Sequence, residues 1–140
     1  MKELEKAKQE LLANEYTCVI CGEEKMYHST FRGVKPLVQW LDQGLDVKGY
    51  SAADKVVGRA TAYLYVLLGV KAVYAHVISK PAYAVLENHG IQIQYGTLVN
   101  NIINRKGTGM CPFEEAVLQI TDSQSAYVAI KEKMAEMNIQ

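Results

Sequence analysis

"KAVYAHVI" (71–78), "SKPAYAVLENHG" (79–90) and "IQIQY" (91–95) are the consecutive segments from which the fold is read. The first is an unbroken apolar run of strand-forming residues, the pattern of a central strand covered on both faces. In the second, Ser79 is a natural N-cap, Pro81 stands in the first turn and Gly90 lies past the end, so a short helix follows. The third alternates apolar and polar residues and reads as a strand nearer the sheet edge.

Toward the N-terminus, residues 53–68 are apolar on nearly every side after the first turns, which predicts a buried helix ended by Gly69. Residues 45–53 read as a loop. "FRGVKPLVQWLDQG" (31–44) gives a short helix with Pro36 early and Gly44 as its stop. "YTCVIC" and "KMYHS" flank "GEE" as a hairpin. Residues 2–14 place Leu4, Ala7 or Lys8, Leu11 and Leu12 on one stripe of an amphipathic helix. Toward the C-terminus, residues 97–105 predict a short helix with Leu98, Val99, Ile102 and Ile103 inward. "KGTGM" is a flexible link, and "CPFEEAVLQI" starts another helix at Pro112. Asp122 or Ser123 caps a last amphipathic helix that runs to about residue 137.

Strand–helix–strand units after a hairpin imply an α/β fold, a mixed sheet between helix layers in a three-layer α/β/α sandwich. The 140 residues suffice for a single domain, 1–140. Lys and Arg together number 15, as do Asp and Glu. With no net charge, neither nucleic acid nor a membrane surface is an expected partner. The longest apolar tract, "TAYLYVLLGVKAVYAHVI", is interrupted by Gly69, Lys71 and His76, and the charged N-terminus lacks a signal-peptide core. Three cysteines do not make a disulfide framework. A cytoplasmic protein is expected.

Ligands of such sheets sit outside the carboxyl ends of parallel strands. The helices leaving those ends are expected to begin near Ala53 and at Ser79, which directs attention to Asp54-Lys55 and Ser79-Lys80. On a helix over 53–68, Lys55 and Arg59 share a face at i and i+4, where like charges repel unless an anion lies between them. Gly58 in mid-helix costs roughly 1 kcal/mol against alanine, which points to close approach of a backbone or ligand. The plainer reading is an early-turn acid beside a surface lysine, with Ser79 only a cap. In "NRKGTGMCPFEEAV" (104–117), Asn104, Arg105 and Lys106 precede a helix that starts at Cys111, a setting that favours a thiolate. Glu114 and Glu115 oppose it, and they also suit the helix dipole.

Cys18 and Cys21 sit three apart in a strand, so their thiols diverge and read as small apolar residues. His28, His76 and His89 show no ligand spacing. His76 reads as a satisfied core histidine and His89 as a helix-end residue.

"ADKVVGRATA" (53–62), "VYAHVISKPA" (73–82) and "YGTLVNNIINRKGTGMCPFEEAV" (95–117) together resemble the small bacterial family known as domain of unknown function 1893. The resemblance spans nearly the whole chain and implies a cytidine-deaminase-like fold. Zinc-dependent deaminases carry His-x-Glu and Pro-Cys-x-x-Cys at the starts of two core helices. This chain reads "ADKVV" and "SKPAYAV" there, so the zinc ligands are missing and no metal or cofactor is called for.

The reading is therefore a metal-free pocket for a small anionic or nucleotide-like ligand. In its enzyme form, Cys111 is the nucleophile, Asp54 moves a proton or orients Lys55, and Lys55 and Arg105 hold an anion. Ser79 and Asn104 supply hydrogen bonds, with Lys80 and Glu114 at the same edge. The rivals are a non-catalytic binding or sensing module and a structural interaction domain, in which the terminal helices could serve a homodimer.

Overall fold

The computed structural model describes residues 2–139. Along them the order is α1 (Lys2–Ala13), β1 (Cys18–Cys21), β2 (Met26–Ser29), α2 (Lys35–Asp42), β3 (Ser51–Val57), α3 (Arg59–Leu68), β4 (Ala72–Ser79), α4 (Lys80–Asn88), β5 (Gln92–Val99), α5 (Pro112–Ala116) and α6 (Ser123–Glu136). The strands form one five-stranded mixed sheet in the order β2-β1-β3-β4-β5. The hairpin β1–β2 is antiparallel and β1 runs antiparallel to β3, whereas β3, β4 and β5 are mutually parallel.

Alternation along the strands divides the core. Val19, Cys21, Ala53, Ala72 and Tyr74 pack with Leu4, Ala7 and Leu11 of α1. Cys18, Ile20, Ala52, Val73 and Ala75 belong to the larger cluster, which takes Leu37 and Val38 from α2, Leu64 and Tyr65 from α3, Leu86 from α4 and Ile130 from α6. Helix α3 is central to this second group, with α2, α4, α5 and α6 all packed against it. Each fully buried Leu, Ile or Val here contributes about 1.5–3 kcal/mol.

The main departure from the sequence reading is at 51–57. Residues 53–58 are not the opening turns of a helix. Ser51–Val57 is a strand paired with β4 to its end and with β1 over Ser51–Asp54, with Cys18 opposite Asp54 on β1 and Ala75 opposite Asp54 on β4. Alanines 52 and 53 favour a helix in isolation, but pairing with two neighbours satisfies the backbone and overrides that preference. Their small side chains also let α1 and α3 approach the middle of the sheet. Gly58 is extended (φ −94°, ψ 179°) and is the N-cap of α3, so Lys55 and Arg59 do not share a helical face. Gly69, at φ 78°, ends that helix as expected.

A second departure is at 97–105, where no helix forms. Strand β5 instead continues to Val99, with Thr97, Leu98 and Val99 opposite Val77, Ile78 and Ser79. Beyond it an irregular segment leads to α5, drawn together by the bridge between Ile103 and Met110. Leu98 and Ile103, expected inward, are exposed.

Strand β4 is buried over Ala72–Ala75, but His76 is exposed, so the expected core histidine is not one. Its Nδ1 lies 3.5 Å from the Tyr74 hydroxyl. His89 is at the end of α4, as read, with Nδ1 2.8 Å from the Val85 carbonyl. Among the described residues, no helix is long and apolar enough to cross a membrane.

Candidate functional site

Asp54 follows Ala52 by two residues on β3 and therefore projects to the same side, toward α3. There Tyr65, fully buried in the second turn of α3, donates its hydroxyl to Asp54 Oδ2 at 2.6 Å. The Val56 backbone N–H donates to Oδ1 at 3.2 Å. Asp54 is only 8% exposed, and no cation pairs with it among the described residues. Burial pushes its carboxyl up to about 7, with the Tyr65 hydroxyl and the Val56 N–H resisting that rise. The same burial, reinforced by the Asp54 charge, drives the Tyr65 phenol and the Cys18 thiol well above their ordinary values.

Asp54 lies in the wall of a cavity of about 380 Å³. Thr17 and Cys18 come to it from β1 and the turn before it, Arg32 from the approach to α2, Lys55 from β3, Thr61 from α3, and Cys111 and Glu114 from the start of α5. Cys18 faces this side and Cys21 faces α1, so the two thiols diverge as their spacing requires. Cys111 is half-buried, whereas Cys18 and Cys21 are fully enclosed.

Glu114 has a second engagement. Its carboxylate accepts from the Arg59 N–H at 2.7 Å and from the Ala60 N–H at 2.8 Å, binding the first turn of α3 from another element. An anion at a helix N-terminus is favoured by the unpaired N–H groups and by the dipole. Here that anion is part of the chain. It also accounts for Gly58, because a Cβ there would fall 2.7 Å from the Glu114 carboxyl carbon. The close approach expected at Gly58 is thus a side chain of α5. Arg59 in turn donates through Nη1 to the Leu118 carbonyl at 3.1 Å and through Nη2 to the Ile120 carbonyl, tying α3 to the segment before α6.

Of the residues singled out in the sequence, the structure brings together Asp54, Lys55, Cys111 and Glu114 around one cavity. Arg105 lines a neighbouring one. Ser79 is elsewhere: its buried hydroxyl accepts from the Ala82 N–H at 3.2 Å and caps α4. Lys80 is exposed on the first turn of that helix. Asn104 is bound up in its own turn, its side-chain oxygen accepting from the Thr108 N–H at 3.1 Å and its amide donating to the Thr108 hydroxyl at 3.2 Å.

Sequence reasoning missed Tyr65 and the part that Cys18 takes. Tyr65 lies inside the apolar stretch 53–68 with nothing local to set it apart, and the Cys18–Asp54 pairing depends on a strand register between segments far apart in the chain. Among the described residues, no three His, Cys, Asp or Glu side chains are grouped so as to hold a metal ion.

The family model described as TM1506, domain of unknown function (DUF1893), matches residues 6–134. The chain belongs to that family. A solved DUF1893 family protein (TM1506) from Thermotoga maritima is similar in structure, with a TM-score of 0.84 and 24% sequence identity over 96% of this chain and 90% of the other. At that identity the likeness concerns the fold. No curated protein matches the chain significantly.

Proposed function

We propose that this DUF1893 chain is a three-layer α/β/α, cytidine-deaminase-like protein that binds a small anionic or nucleotide-like ligand without a metal ion. The observation that carries the reading is the Asp54 carboxyl, buried in the cavity wall with one oxygen held by Tyr65. A buried carboxyl that lines a cavity suits a ligand that presents N–H or O–H groups to its remaining lone pairs. Near neutral pH such a group can also take or return a proton, which is the role of a general acid–base. Lys55, at the rim, is placed to balance ligand charge.

In the enzymatic version Cys111 is the nucleophile, supported by its partial exposure on the same cavity, where Cys18 is enclosed and held protonated. Glu114 then serves by fixing α5 against α3, so that Cys111 and Asp54 face one space. Without chemistry at Cys111, the same pocket is a binding or sensing module.

The test is a panel of nucleosides, nucleotides and small carboxylates, followed by thermal shift on the native chain and on Asp54→Asn. Stabilisation by a compound that loses at least tenfold in affinity on Asp54→Asn supports the pocket. A panel that binds both proteins equally, or neither, refutes it. Loss of turnover but not of binding in Cys111→Ala would favour the enzyme over the module.

A further inference from the structure

A second cavity of about 270 Å³ adjoins the first, and Arg32, Val34 and Phe113 line both. Among the described residues, its charged lining residues are Arg32, Lys35 and Arg105, and none is acidic. These cations come from the approach to α2, the first residue of α2 and the segment between β5 and α5, some seventy positions apart in the chain. The ion pairs of the described residues, Lys71–Glu3 and Lys131–Asp42, involve none of them. Lys35 Nζ instead lies 4.3 Å from the centroid of the Phe31 ring, beside the cavity.

Three like charges lining one cavity, with no acidic side chain among its described lining residues, repel one another, and an anion of matching charge relieves that repulsion. Guanidinium groups suit phosphoryl oxygens in particular, because they donate two parallel hydrogen bonds. We infer that the second cavity is the anion subsite of a two-part ligand, a phosphomonoester whose uncharged, hydrogen-bonding body extends past Arg32 and Phe113 into the Asp54 cavity. The inference rests on the pocket reading above and deepens it. The body meets a carboxyl and apolar walls, while the phosphoryl group meets cations and the rings of Phe31 and Phe113. Arg32, shared by both cavities, marks the junction.

The experiment is a ¹H–¹⁵N NMR titration of the full chain at fixed ionic strength, first with inorganic phosphate and then with the four common ribonucleoside monophosphates. Acetate serves as the monoanion control. Expected are saturable shifts from phosphate on residues 31–35, 105 and 113, weakened at least tenfold by Arg105→Gln and by Arg32→Gln. Acetate gives none. At least one monophosphate binds tighter than phosphate and extends the shifts to residues 54–55. Shifts that do not saturate, or that survive both substitutions, overturn the anion subsite. Monophosphates that shift only the basic cavity overturn the two-part ligand. If phosphate fails while other compounds still bind in an Asp54-dependent way, this inference falls and the pocket stands. Both arginines are exposed, so their replacement leaves the core intact.

Discussion

Removing the Glu114 carboxylate should cost the fold more than any other single change at the site's polar groups. Two N–H groups, those of Arg59 and Ala60, donate to it at 2.7 and 2.8 Å. Hydrogen bonds to a charged acceptor contribute about 1.5–3 kcal/mol each. Water reaching the adjoining cavity recovers part of this, so Glu114→Ala should lower stability by about 2–4 kcal/mol. Glu114→Gln keeps one acceptor but turns an amide donor toward an N–H, and should fall between, at about 1–2 kcal/mol. Gly58→Ala acts on the same contact, since its Cβ would meet the Glu114 carboxyl carbon at 2.7 Å. Its cost should therefore shrink by at least half in a Glu114→Ala background, because the two substitutions break one interaction. Equilibrium urea unfolding at pH 7 measures all four proteins, with exposed Glu115→Ala as the control, expected within about 0.5 kcal/mol of the native chain. A Glu114→Ala protein no less stable than Glu115→Ala, or fully additive costs for the Gly58 and Glu114 changes, would refute the reasoning.

Asp54 makes stability depend on pH in an unusual direction. Its native carboxyl keeps the proton up to about 7, while the unfolded chain releases it near 3.8, so stability falls as pH rises through that window and levels off above it. The difference amounts to about 4 kcal/mol, and Asp54→Asn should flatten the urea-derived profile between pH 4 and 8. In the native protein, iodoacetamide should modify Cys111 first, and peptide mass analysis should find Cys18 and Cys21 labelled only on unfolding, since both are buried with raised thiol pKa values. Ser79→Ala removes a helix cap and should cost about 1 kcal/mol, leaving ligand affinity in the thermal-shift panel unchanged because the hydroxyl faces Ala82.

Punctuation made half of this fold legible. Ser79, Pro81 and Gly90 bracket α4, Gly69 ends α3, and the apolar run before Ser79 is β4, an interior strand although β3 holds the centre of the sheet. Where the local signal and the tertiary one conflict, the tertiary one prevails in the fold. "SAADKVV" has helix-forming alanines and no alternation, because Ser51–Asp54 is buried on both faces and paired with β1 and β4, while Lys55 and Val56 beyond it are exposed. Leu98, Val99, Ile102 and Ile103 carry helical spacing, yet parallel pairing with β4 holds Thr97–Val99 extended. At the site, Asp54, Cys111 and Glu114 stood out by type and position, although the helix invoked to place Asp54 is a strand. Tyr65, which holds the Asp54 carboxyl, left no mark of its own in the sequence, because its role exists only once α3 lies across β3.

The most direct test of the account is the titration of Asp54 itself, followed through its ¹³C carboxyl resonance in the native chain and assigned with Asp54→Asn. A midpoint near 7, moving higher when Tyr65→Phe removes the hydrogen bond to Oδ2, is the predicted result. A midpoint near the ordinary aspartate value of about 3.9 would show a solvated carboxylate and contradict the buried, proton-exchanging group on which the proposed site depends.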